Sequence, residues 1–140
     1  MVKTPKFDAV KVGDELPPLK LPPISRHQLA LYCGGSGDHN PIHVDIDFAK
    51  KFGMKDVFAH GMLSMAFLGR QVVSFAPQAQ LRKLGTRFSA ITWVGDEITV
   101  TGKVVGKREE NGEKLIDLEI NCINQHGKPT LQGNATVAAA

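Results

Sequence analysis

The stretch SGDHNPIHVDID places six residues able to carry protons, charge or directed hydrogen bonds within ten positions: Asp38, His39, Asn40, His43, Asp45 and Asp47. A carboxylate beside an imidazole is the minimum equipment for moving a proton to and from water. On one continuous helix Asp38 and His43 would lie ~140° apart around the axis and could not meet. The chain must therefore change conformation between them. Asn40 is a favoured helix N-cap and Pro41 a favoured first helical residue, so the sequence predicts a helix start that leaves Asp38 in the loop and His43 on the first turn. Acid and imidazole then face one space, with the Asn40 amide between them, and can grip one water molecule. Asp and Asn are equally ordinary as turn and cap residues, and a single histidine is often a hydrogen-bonded structural group. A metal set of Asp38, His39, His43 and Asp45 fits less well. Its His39 to His43 spacing suits a helix that Pro41 interrupts, and no second cluster completes the ligands. A site without metal is expected.

A second candidate lies at Ala59-His60-Gly61, directly before a long apolar run. A helix N-terminus carries unpaired N–H groups and partial positive charge, and a glycine there admits close approach by a ligand oxygen. Gly61 is thus a candidate backbone donor to an oxyanion, although tight packing of helix on sheet would equally select glycine. His60 can cap the helix or support the site. Ser64, one turn in, can aim its hydroxyl at a ligand or back at the helix.

The elements that must position these residues follow from patterning. Ser25 with Gln28 three residues later is a capping-box start for a helix expected to stop at Gly34-Gly35. DIDFAKKFG predicts two helical turns with an aspartate cap, closed by Gly53. From Gly61 to Ala76, ten of sixteen residues are apolar and occupy nearly every face. That pattern predicts a helix ~24 Å long, buried all round and ended by Pro77. After about Thr86 the chain reads as strands. Ile116, Leu118, Ile120 and Cys122 alternate with polar residues, as do Ile98, Val100 and Val104, and Leu131, Ala135 and Val137. Hairpin signals stand at Glu110-Asn111-Gly112 and His126-Gly127-Lys128-Pro129. VGDE occurs twice, at Val12 and Val94, each time as a turn leading into a strand. The fold class predicted is α+β, one buried helix and an antiparallel sheet.

With 140 residues, 42% of them hydrophobic and 22% charged, the chain reads as one ordinary globular domain spanning residues 1–140. The net charge of +3 favours phosphate-bearing or acidic partners without choosing among them. Its basic pairs are scattered and only one Trp and one Tyr are present, so nucleic-acid binding is not expected. The longest apolar run is too short to span a membrane and includes Arg70 and Gln71. No secretory signal is visible at the start, and the two cysteines, Cys33 and Cys122, read as free thiols in a reducing compartment. A cytoplasmic location is the expectation.

The run YCGGSGDHNPIHVDIDFA, Tyr32 to Ala49, resembles the signature of the MaoC-like (R)-specific enoyl-CoA hydratases and 3-hydroxyacyl-thioester dehydratases. Its aromatic residue, Gly-Asp-x-Asn-Pro, aliphatic residue, His, and small residue six further on are all present. FAHGMLSMAF resembles the family's His-Gly-Met-Leu helix start. The resemblance implies a hot-dog fold, with an antiparallel sheet wrapped around the central helix, and a dimer whose sheets join edge to edge. It implies Asp38 and His43 as the catalytic pair, Asn40 as their polar support, the Gly61 N–H as donor to a thioester carbonyl, and neither cofactor nor metal. His60 and Ser64 remain as supporting or substrate-contacting candidates. The implied activity is hydration of trans-2-enoyl thioesters of coenzyme A or acyl-carrier protein, and the reverse dehydration. The chain also resembles the short catalytic subunits of acyl-carrier-protein dehydratases, so a related partner chain is an alternative to the homodimer. A hot-dog thioesterase and a non-catalytic subunit are the competing functions, since fold alone does not fix chemistry.

Overall fold

A computed structural model describes residues 1–140. Five strands, β1 (Glu15–Lys20), β2 (Leu81–Phe88), β3 (Thr99–Glu110), β4 (Glu113–Ile123) and β5 (Pro129–Ala139), form one antiparallel sheet in the order β1-β3-β4-β5-β2. The β3-β4-β5 meander follows the predicted alternation. Leu118 pairs with Val104 on one side and Ala135 on the other, and Cys122 with Val100 and Leu131, all of them buried on one face. The β3-β4 turn sets Asn111 and Gly112 at φ 51° and 79°, the left-handed pair that a tight hairpin needs.

Helix α3 (Gly61–Phe75) lies across this face and packs against all five strands. It buries Leu63, Ser64, Phe67, Leu68, Gln71 and Val72. Its bounds match the expectation but its environment does not, because Met62 is 56% exposed and Ala66 and Arg70 are exposed with it. These residues sit one turn apart on the side that the sheet leaves open, so an apolar composition on every face did not mean burial on every face. Packing is tight at Gly133 of β5. A Cβ there would stand 2.8 Å from the Gly85 carbonyl oxygen and 3.0 Å from Leu68 Cδ1 of α3.

Two further differences concern element ends. Helix α1 (Arg26–Ser36) is capped as expected, with the Ser25 hydroxyl accepting the Gln28 N–H at 3.0 Å, but it runs through Gly34-Gly35. It ends only at Gly37, whose φ of 76° no other residue type adopts freely. The run of strands expected after about Thr86 also begins earlier, at Leu81, and residues 89–98 are not strand but a strap that joins β2 to β3, with one bridge from Trp93 to Phe58. Edge strand β2 is half-exposed along its length, which erases the alternation that would reveal it. The first VGDE leads into β1 and the second into β3. Helix α2 (Ile46–Lys51) is capped by Asp45, which accepts the Asp47 and Phe48 N–H groups, and Gly53 follows it at φ 80°.

Candidate active site

The loop after α1 is built by short polar side chains bonding to nearby backbone. Ser36 Oγ accepts the Asp38 N–H at 3.1 Å and the Asp38 carboxylate accepts the Asn40 N–H at 3.3 Å. The Asn40 side chain accepts the Ile42 N–H at 3.1 Å, capping a single 3₁₀ turn, Pro41–His43, with Pro41 in its first turn. The predicted helix start between acid and imidazole is therefore present, as one tight turn. It leaves Asp38 exposed in the loop and turns His43 inward to 8% exposure. Asn40 fixes the backbone between Asp38 and His43.

His43 is held in one tautomer. Its Nδ1 lies 2.7 Å from the Phe58 carbonyl oxygen, which can only accept, so Nδ1 carries the proton and Nε2 is left as the basic nitrogen. His60, preceding α3, is 1% exposed and stacks on His43 with ring centroids 3.8 Å apart. Its Nε2 lies 3.2 Å from the Asp38 carbonyl oxygen and 3.4 Å from Cys33 Sγ, so it too donates to a carbonyl. The edge of Tyr32 closes the other side, 4.7 Å between centroids. Burial, and then the adjoining His43, hold the His60 imidazole below its ordinary pKa, so it is a neutral ring. His60 thus contacts both Asp38, through its backbone carbonyl, and His43, through its ring face.

Ligand-type atoms of Asp38, His43 and His60 come within 4.8 Å of one another, whereas His39 and Asp45 lie outside that group. Two stacked imidazoles direct their in-plane lone pairs side by side, a poor arrangement for convergence on one ion. The trio suits proton transfer better than chelation.

Gly61 opens α3, and as the first helical residue its N–H has no intrahelical acceptor. The ring of Phe88 lies over it, since a Cβ on Gly61 would stand 2.8 Å from Phe88 Cε1. Beside it is a cavity of about 400 Å³ lined by Phe58, Gly61, Ser64, Phe88 and Thr92 among others. The structure thus gathers Asp38, His43 and His60 and sets Gly61 and Ser64 on an adjoining cavity wall, with Phe58 belonging to both. Sequence reasoning missed Phe58, Phe88 and Thr92. Phe58 acts through its carbonyl, and the other two arrive on the strap and its preceding strand from across the sheet, so no local spacing marks them.

The architecture has close solved counterparts. The chain superposes on the unliganded R-hydratase PhaJ1 from Pseudomonas aeruginosa with a TM-score of 0.84 and 27% identity, covering 99% of this chain and 87% of that one. It shares that protein's hot-dog fold. In sequence it is 32% identical over 133 residues to an (R)-specific enoyl-CoA hydratase of Rhodospirillum rubrum, covering 94% of this chain and 89% of the relative. It is 27% identical over 128 residues to a mitochondrial 3-hydroxyacyl-[acyl-carrier-protein] dehydratase of Arabidopsis thaliana, covering 91% and 76%. The MaoC like domain model matches residues 9–124, a span that includes the Asp38 loop, the His43 turn and the whole of α3. On that match, and on the fold that carries it, the chain belongs to the MaoC-like domain family.

Proposed function

We propose that the protein is a lyase that hydrates trans-2-enoyl thioesters to (R)-3-hydroxyacyl thioesters and catalyses the reverse dehydration. The observation that carries this reading is the convergence of the Asp38 side chain with a tautomer-fixed His43 beside the Gly61 helix terminus. Water adds across the C2=C3 bond. Its oxygen bonds to C3 as a proton leaves it, and C2 gains a proton, so Asp38 and His43 between them remove one and deliver one. The Gly61 N–H, with the α3 dipole behind it, receives the charge that develops on the thioester oxygen, a contribution typically worth ~3 to 4 kcal/mol per donor. Asn40 and His60 hold the pair in place, and Ser64 lies within reach of a bound acyl group on the cavity wall.

The exposed apolar residues Met62, Phe88 and Ile91 lie near edge strand β2 and support a homodimer formed there. The opposite edge, β1, carries Pro17 and Pro18, which lack the N–H groups that strand addition needs. No helix is long and apolar enough to cross a membrane. Both cysteines are free, which supports a reducing, cytoplasmic setting.

Loss of ultraviolet absorbance from crotonyl-CoA and a longer trans-2-enoyl-CoA, followed with a thiol reagent in parallel, tests the activity. Loss without free thiol, absent in Asp38→Asn, is the expected result. Free thiol would establish thioester hydrolysis instead, and no change at any chain length would overturn the reading for coenzyme A substrates.

A further inference from the structure

The aromatic lining of the site does not stop at the cavity. Phe58, which lines it, meets the His43 ring edge-on at 5.1 Å between centroids and also meets the Trp93 ring at 5.8 Å. The Lys55 ammonium stands over that Trp93 ring, 4.4 Å from its centroid. Taken end to end, these three contacts place the ammonium no more than about 15 Å from the His43 ring. Trp93 is a fixed platform. It bridges to Phe58, its N–H is accepted by the Asp96 carboxylate at 2.9 Å, and the carbonyl of its neighbour Thr92 accepts the Ala59 N–H at 2.9 Å. A lysine stem is otherwise mobile, and a cation–π contact settles where its charge stands. That charge is not neutralised within the chain. Lys55 is exposed and takes part in none of the four ion pairs, and Asp56, the anion beside it in sequence, is bound to Arg26 at 2.8 Å. A free ammonium held on an aromatic plate, one ring away from the residue that bonds His43, is equipped to receive an anion that belongs to the substrate.

We propose that Lys55, positioned by Trp93, binds the phosphate at the far end of the pantetheine arm of the thioester substrate. This deepens the reading of the site as a thioester lyase and rests on it, since His43 and Gly61 fix where the thioester lies. The arm from thioester sulfur to that phosphate is about 13 bonds long, and a chain that gains ~3.3 to 3.6 Å for every three backbone bonds spans about 15 Å when extended. The phosphate therefore ends within reach of Lys55. Coenzyme A and an acyl-carrier protein present the same arm and the same phosphate, so one cation serves either source. An exposed ammonium–phosphate pair is a charge-assisted contact that salt weakens. Because it lies away from the reacting carbons, it holds substrate and transition state alike and acts on KM instead of kcat.

Crotonyl-pantetheine, which lacks the phosphate, is compared as a substrate with crotonyl-4′-phosphopantetheine, crotonyl-CoA and a crotonyl-acyl-carrier protein. Wild type is expected to favour the phosphorylated arm over crotonyl-pantetheine by about 10-fold in kcat/KM, through KM, with the preference shrinking as ionic strength rises. Lys55→Ala abolishes that preference, Lys55→Arg retains it, and both keep the melting temperature of the wild type. Lys55→Ala also raises KM by the same factor for crotonyl-CoA and for the carrier-protein substrate. No preference in the wild type, an unchanged preference in Lys55→Ala, or an effect confined to kcat would each overturn the proposal. A loss confined to crotonyl-CoA would move Lys55 to the further phosphates of the nucleotide, and a loss confined to the carrier protein would make it a protein contact. Either result overturns the assignment to the shared phosphate. Absence of turnover with every substrate would sink the lyase reading instead. Trp93 is the only tryptophan, so quenching of its fluorescence by free 4′-phosphopantetheine then tests the phosphate site alone. Binding about 10-fold weaker in Lys55→Ala is expected there, and equal binding would overturn the site as well.

Discussion

His60 is a buried ring that ties two parts of the candidate site together. It donates to the Asp38 carbonyl, presents a flat face to His43, and is 1% exposed, so it acts on the pair from behind. Keeping it neutral has a consequence for stability. Burial depresses its pKa in the folded chain below the ordinary histidine value of about 6.5, whereas the unfolded chain titrates near that value. The unfolded state therefore binds more protons as pH falls below about 6.5, and stability that is full above that pH is lost as the folded pKa is approached. Wild type should lose melting temperature between pH 7.5 and 5.5, and His60→Gln, which cannot titrate but can still donate to the Asp38 carbonyl, should lose less. Equal slopes by calorimetry would show that another group governs the acid limb. Asp38→Asn and His43→Gln belong to the same scale but change different quantities. Each should lower kcat/KM for an enoyl thioester by about 10² to 10⁴. Exposed Asp38→Asn keeps its melting temperature, since an amide oxygen still accepts the Asn40 N–H.

Two glycines separate the roles of the elements that carry them. At Gly133 an added methyl meets the Gly85 and Ile120 carbonyl oxygens at 2.8 and 3.2 Å and Leu68 at 3.0 Å, where backbone on two sides leaves no room to move. Gly133→Ala should lower unfolding free energy by about 1 to 3 kcal/mol in urea, with the m-value unchanged. At Gly61 the obstacle is the Phe88 ring alone, the far end of a side chain with no backbone behind the clash. Gly61→Ala should therefore fold normally, yet lose about 10- to 100-fold in kcat/KM as the methyl and displaced ring crowd the helix terminus. Destabilisation by Gly61→Ala with intact kinetics would make that glycine a packing residue. The same elements show what was legible in the sequence. The Ser25 and Asn40 caps, the α3 start and the alternation of β3, β4 and β5 are local signals, written in neighbouring residues. Termination at Gly37 instead of Gly34, the open stripe of α3 and the strap over residues 89–98 depend on what packs opposite, and no local pattern encodes that. Within the site, the Asp38 to His43 turn was readable because its hydrogen bonds span two residues. The Phe58 carbonyl bonded to His43 and the Phe88 ring over Gly61 were not, because they arrive from other parts of the chain.

At the scale of the whole molecule, the unsettled surface is the edge of the sheet at β2. An edge strand exposes a row of unpaired backbone groups, and proteins either blunt such an edge or cover it. Edge β1 is blunted by Pro17 and Pro18 and by a register shift between Leu16 and Leu19. Strand β2 contains no proline, and the exposed Met62 of α3 follows Gly61, over which its terminal residue Phe88 lies. Arg82 is bound to Glu113 of the same chain, so at least one cation on this edge is already neutralised. An edge left open beside exposed apolar side chains is the arrangement expected of a surface that meets its own copy about a two-fold axis. Light scattering on the eluting protein should return twice the mass of the chain. Met62→Glu, which places one charge from each copy into the contact, should return the mass of a single chain at the same concentration while preserving the far-ultraviolet spectrum. Gly61 and the Phe88 ring over it adjoin Met62, so a monomeric Met62→Glu variant should also lose affinity for acyl thioesters. A dimer that survives Met62→Glu with unchanged affinity would move the interface away from β2.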